Sequence, residues 1–282
     1  MFFSSWLRTR TPPGASEVRR TSKPARRQAA FRPRLEALEG RDVPSTLTVT
    51  NTLDTGFAGD GSLPGEIAAA QSGDTIVFDP TTMTGKQIVL TSGDELFIDK
   101  NLTIQGLPAG SVINGGGLSR VFAVRAGVSV TLTNLTITRG IDIAYSGAFD
   151  DTTVGEGAGI FNLGTLTVQN CMVTGNTGEF GGPRGGGGIY NGFVRNKAGA
   201  TTLSISGSTL SGNSAGSEGG GIYNDGSQAT VMNCTITGNT AGYEGGGIYN
   251  AGRLTVGGSA FSANTPDNVF GGYTNKKGNT FG

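Results

Sequence analysis

Along the second half of the chain, apolar residues occupy every other position in short runs. The runs recur in the same order between blocks of glycine and asparagine. "GGGIYN" stands at 186–191, 219–224 and 245–250, and a looser "GAGIFN" at 157–162. An alternating run follows each copy and leads into a Thr/Ser-Gly-Asn-Thr/Ser block at 174–177, 211–214 and 237–240, with 262–265 as a variant. Alternation of period two is the mark of strands with one buried face. Aligned on the Gly-Asn block, Leu166, Leu203, Ala229 and Leu254 form one column and Val168, Ile205, Val231 and Val256 the next. A unit this small cannot bury its apolar face alone, so successive copies must stack. Ile222 and Ile248 are 26 residues apart, room for three short strands and three turns. The pattern predicts an all-β fold, a single-stranded right-handed parallel β-helix over residues 45–282.

Stacking turns each column into a continuous file. Asn162, Asn191, Asn224 and Asn250 form one, and Asn176, Asn213, Asn239 and Asn264 another. Their amides can bond to the amides above and below, and Asn tolerates the left-handed backbone of a corner. These eight are expected to be structural ladders, and the glycan acceptor patterns at Asn101, Asn134 and Asn233 are read as corners too. Cys171 and Cys234 share a column two circuits apart, about 9–10 Å, beyond the reach of a disulfide. They are expected as free, inward-facing thiols serving as small apolar fillers.

Upstream, 45–56 reads as an opening strand and Ser62–Ala70 as a short helix. Ser62 suits the N-cap, Pro64 the first turn, and Leu63, Ile67 and Ala70 one apolar face. Such a helix would cover the raw edge at the N-terminal end of the stack. Runs at 73–80, 86–93, 95–106, 111–115 and 120–140 continue as strands.

Composition sharpens the picture in two ways. The 282 residues have 21 basic and 21 acidic side chains, yet residues 1–44 hold 10 Lys/Arg against 4 Asp/Glu and the remainder 11 against 17. The basic head, rich in Pro and poor in apolar residues, reads as a disordered export or sorting leader; no nucleic-acid partner is expected. No run is long enough for a transmembrane helix. The absence of histidine removes the usual general base and the commonest metal ligand, which weighs against hydrolytic or zinc chemistry.

Two sets of residues carry candidate chemistry. Charges gather in the long corners: Asp142, Asp150, Asp151 and Glu156 in one, Glu179 and Arg184 in the next, with Arg195 and Lys197 in a third insertion. Asp150, Asp151 and Glu156 read as a solvated edge, as a carbohydrate- or cation-binding rim whose oxygens would suit Ca2+, or as a carboxylate pair for catalysis. Otherwise no cofactor is expected. The second set is the column Phe161, Tyr190, Tyr223 and Tyr249, which alternation turns outward if the preceding Ile points in. It reads as an exposed aromatic stripe suited to sugars, or as rings that stack and shield the sheet. Outward strand positions such as Thr167, Gln169, Thr174, Ser204, Ser206, Thr235, Thr237 and Thr255 are uncharged and read as chemically idle.

"GSLPGEIAAAQSGDTIVFDP" (61–80) resembles the CSLREA-type N-terminal motif of bacterial β-helix surface proteins. Here Gly61 replaces its Cys, and Gly65-Glu66 departs from its Arg-Glu-Ala. The GGGI blocks with Phe261-Ser262-Ala263-Asn264 resemble polymorphic outer membrane protein repeats, and "RLEALEGRDVPS" (34–45) a leader motif of exported bacterial domains. The resemblance implies a secreted or cell-surface bacterial protein, of pectate-lyase-like architecture and linked to adhesion. Its partners would be polysaccharide or cell-envelope components, and its open edge could pair with a second chain. It supplies no catalytic residues. Adhesion or polysaccharide binding without catalysis is the leading expectation. A degenerate polysaccharide lyase or hydrolase and a structural spacer stand as alternatives.

Overall fold

The computed structural model describes residues 43–142, 156–178, 185–192 and 201–282. These wind into a right-handed parallel β-helix in which every strand pairing is parallel and joins one circuit to the next. The strands form sheets of nine, eight, seven and four. One circuit runs Thr202–Ser206 in the nine-stranded sheet, Thr209–Ser211 in the eight-stranded, Ser214–Ala215 in the four-stranded and Ile222–Asn224 in the seven-stranded. Four of the described circuits therefore carry four strands where the spacing suggested three. The extra one is a two-residue strand beyond the Asn corner, too short to leave an alternation signal.

Register follows the columns. Leu166 pairs with Leu203, then Ala229, then Leu254, while Val168, Ile205, Val231 and Val256 align beside them. Val130 and Leu132 extend both files backward. These side chains are buried in one continuous core with Val173, Leu210, Ile236 and Phe261. Neighbouring strands stack about 4.8 Å apart, so each branched side chain packs directly on its equivalent.

The two asparagine files are hydrogen-bonded chains. Asn162, Asn191 and Asn224 each donate Nδ2–H to the Oδ1 of the next, ending on Asn250, at 2.8, 2.7 and 2.6 Å. Asn176, Asn213 and Asn239 do the same, ending on Asn264, at 2.9 Å each. In the second file the Oδ1 also accepts the backbone N–H of the asparagine one circuit back, as Asn239 does from Asn213. None of the eight has a left-handed backbone. That conformation belongs to two neighbouring corner files: Asn134, Asn170, Gly207, Asn233 and Gly258, and Arg139, Gly175, Gly212, Gly238 and Ala263. The ladder asparagines are kept for amide bonding, not for their tolerance of positive φ. Two of the glycan acceptor patterns fall on a left-handed corner, at Asn134 and Asn233.

The triple glycines have a steric cause. The first of each block is left-handed, with φ of 96° at Gly186, 68° at Gly219 and 65° at Gly245. At the third, the next circuit leaves no room for a side chain. A Cβ on Gly221 would lie 2.4 Å from the carbonyl oxygen of Gly247.

Cys171 and Cys234 are free and buried, separated in their file by Ser208. They are more than apolar fillers, because this file is a third polar ladder. The Cys171 N–H donates to Ser208 Oγ and the Cys234 N–H to Ser259 Oγ, both at 3.1 Å. Cys171 Sγ in turn accepts the N–H of Leu135 at 3.4 Å.

At the N-terminal end the opening strand is shorter than the run suggested, Thr46–Val49. Helix α1 (Leu63–Ala69) follows, with Ser62 Oγ accepting the N–H of Gly65 at 3.0 Å. Leu63, Ile67 and Ala70 are buried in the core, as their spacing implies. A one-turn helix α2 (Pro80–Met83) bridges the runs at 73–80 and 86–93. Asp79 caps it and Pro80 opens it, a cap-plus-proline start visible in the sequence. At the other end the final circuit, with strands Val269–Phe270, Thr274–Asn275 and Thr280–Phe281, leaves Phe270, Tyr273 and Phe281 exposed.

Asn239→Ala removes the acceptor of two buried N–H groups on Asn213. Each orphaned group costs about 1–3 kcal/mol, so denaturant melts should show a loss of at least about 2 kcal/mol, whereas Thr237→Ala should change little. Burial also pushes both thiols up. Native protein should therefore resist alkylation and take two labels by mass only after unfolding; rapid labelling of the native chain would contradict the register.

Candidate functional site

The Ile-Tyr/Phe-Asn strands pair in the seven-stranded sheet and carry the aromatic file. Alternation does turn the rings out of the main core, but they are not an open stripe. Phe161, Tyr190, Tyr223 and Tyr249 stack face to face, with centroids 5.3, 5.6 and 4.8 Å apart and planes within 22°. Phe270 extends the stack at 5.4 Å. Phe161 and Tyr190 are 1% exposed and Tyr223 7%. One circuit's spacing brings the rings nearly to stacking distance, so they cover one another and form a second apolar cluster outside the coil. Only toward the C-terminal end does the stack reach solvent, at half-buried Tyr249 and exposed Phe270.

Of the expected acidic rim, Asp150, Asp151 and Arg184 lie outside the described residues, as do Glu179, Arg195 and Lys197. Glu156 is described and buried, 2% exposed, so it is no solvated edge. Its backbone carbonyl accepts Nε–H of Arg120 at 3.1 Å. Arg120 also binds Glu95 Oε2 at 2.8 Å and Asp142 Oδ1 at 3.1 Å. The guanidinium lies over the Phe161 ring, 4.7 Å from its centroid. Sequence reading passed over Arg120 because its partners are 22–36 residues away and meet it only through stacking. The cluster joins three circuits at the head of the aromatic stack, which makes it a clasp; its charges are already committed to one another.

A second acidic group, also unmarked by spacing, lies beside the stack farther along. Glu218 and Glu244 are equivalent residues of consecutive circuits, with Gly186 N–H donating to Glu218 O and Gly219 N–H to Glu244 O, both at 3.1 Å. Asp225, just after the strand Ile222–Asn224, accepts from the Tyr190 hydroxyl at 2.9 Å. Burial, with the charge of Glu244 adding to it, pushes the Glu218 carboxyl up, and Glu218 Oε2 has no hydrogen-bond partner. Burial likewise raises the Tyr249 phenol, helped by the negative charges of Glu218, Glu244 and Asp225. A sugar hydroxyl could donate to such carboxylates while its ring face rests on an aromatic. Among the described residues no three metal-binding side chains converge, and no helix is long and apolar enough to cross a membrane. On a different face, an open cleft of ≈ 410 Å³ lies near the last circuit, lined by Gln228, Arg253, Thr255, Tyr273 and Thr274 among others.

No family model, curated protein or solved structure matches the chain.

The raised Glu218 carboxyl gives a signed expectation. The folded chain holds that proton more tightly than the unfolded chain does, so the stability it contributes is present below the unfolded pKa and lost as pH rises through the folded one. Glu218→Gln should therefore raise Tm at neutral pH, and the gain should fade toward about pH 4, the ordinary carboxylate range. Thermal melts across that span check it; a gain that grows toward acid would contradict the assignment.

Proposed function

We propose that this β-helix is a non-catalytic, exported surface protein whose rigid shaft contacts polysaccharide or cell-envelope components. The observation that carries the reading is the rim around Tyr249. There the solvent-reaching end of a five-ring stack stands beside the carboxylates of Glu218, Glu244 and Asp225, whose charge the Tyr249 phenol feels. Such a rim offers an apolar platform and hydrogen-bond acceptors on a backbone that does not move, which limits the ordering cost of binding. The likeness of residues 61–80 and of the GGGI blocks to motifs of bacterial β-helix surface proteins supports a location outside the cell. It also supports a role in adhesion. Edge-to-edge association with a second chain belongs to the same reading.

The stack changes which residues a test should target. Tyr190 and Tyr223 lie inside it, so their truncation would report on stability. Tyr249→Ala and Glu244→Gln touch the accessible end. On an array of acidic and neutral polysaccharides the parent chain should bind a subset, and each variant should weaken that binding by about tenfold, the equivalent of roughly 1.4 kcal/mol. Binding that both variants leave intact, or no binding at all, would remove the proposal. Release of reducing or unsaturated sugars by the parent chain would replace it with an enzymatic one.

A further inference from the structure

Opposite in character to the acidic rim is the outward face of the nine-stranded sheet. Its central outward file runs from Thr46 through Thr131, Thr167 and Ser204 to Thr274, one residue per strand in unbroken register: eight threonines and one serine. Every member is half-buried or exposed. Strand propensity favours Thr but does not explain the file. The next outward file on the same sheet, in the same extended backbone, accepts Val77, Gln105, Met232 and Gly257. The chain keeps the hydroxyl in one file and lets it go in the other.

Three consecutive circuits widen the file into a patch. Residues 129–133, 165–169 and 202–206 present Ser-x-Thr-x-Thr, Thr-x-Thr-x-Gln and Thr-x-Ser-x-Ser, with the intervening residues in the core. Eight of these nine outward side chains are hydroxyls. Their repeat is about 4.8 Å along the coil and about 6.6 Å across it. The left-handed residues all lie outside this sheet's strands, so the patch is regular extended backbone. From Thr75 to Met232 its strands contain no charged residue.

We infer that this face binds ice. A crystalline water surface is uncharged, flat and periodic in two directions, with oxygen rows at repeats of the same order as these hydroxyls. A charged or irregular ligand would find no complement here. Thr suits the task because its β-branch fixes the side chain, presenting a methyl and a hydroxyl at each lattice point with little rotamer freedom left to lose. The eight-stranded sheet also carries outward hydroxyls, but Met172 and Ala260 interrupt one of its two outward files, leaving Thr138, Thr174, Ser211, Thr237 and Ser262 in the other. Several of its hydroxyls bond to each other, Ser211 to Thr174 at 3.1 Å and Thr237 with Ser262 at 2.9 Å. The inference therefore assigns the nine-stranded face alone and does not depend on the polysaccharide reading.

The test is partition of purified full-length chain into a slowly growing ice hemisphere, with microscopy of ice recrystallisation alongside. The parent should enrich in the ice and restrain grain growth. Thr167→Tyr with Ser204→Tyr keeps strand-forming residues but lifts the lattice off the patch, so enrichment should fall to that of a non-binding protein. Thr174→Tyr with Thr237→Tyr, on the eight-stranded sheet, should retain it. Circular dichroism establishes that each variant is folded. A parent chain excluded from ice overturns the inference whatever the variants do, and equal loss from both folded pairs overturns the assignment to this face.

Discussion

Stacking at a single strand spacing places each buried corner asparagine beside its equivalent one circuit above or below. The asparagine files obey this constraint, and the rest of the fold depends on it. Each amide donates to its equivalent in the next circuit, so the corners can be buried without leaving unpaired groups, which would each cost as much as a lost hydrogen bond or more. The requirement also fixes the register: a circuit one residue out of step would break the amide chain and turn its apolar files to solvent. The Cys/Ser file repeats the device with weaker acceptors.

The same periodicity generates the surface. Because equivalent side chains must superpose, any outward residue type becomes a row, and its chemistry is multiplied by the number of circuits. Aromatic residues in a row stack, and most of their area vanishes into the stack. Hydroxyls in a row cannot bury one another and remain a patterned face. Carboxylates in a row repel, so the charge of Glu244 adds to the burial that raises the Glu218 carboxyl, and both charges add to the burial that raises the neighbouring Tyr249 phenol. One architectural rule thus yields a packed stripe, a regular array and an electrostatically strained rim.

Much of this was legible from the chain alone. The parallel coil, its core columns and the membership of both asparagine ladders follow from local alternation and from spacing, which are properties of the sequence. So do the helix capped by Ser62 and the unbridged cysteines. Other readings were left open or went astray for physical reasons. The aromatic file was left between an exposed stripe and a self-shielding stack, because alternation tells only which way a ring points, not what stands beside it. The ladder asparagines were credited with left-handed backbone that in fact belongs to neighbouring corner residues, because a repeat shows which residues are equivalent and not what φ they adopt.

By itself, then, the sequence determined the period, and the period determined which residues lie above which, since strand stacking admits one spacing. Only the tertiary structure decided which equivalent side chains touch and how wide the lateral gaps between files are. It also decided which groups distant along the chain meet. Arg120 reaching Glu95, Asp142 and the Glu156 carbonyl across three circuits is of that kind. Those contacts exist only once the circuits are stacked, and no spacing along the chain encodes them.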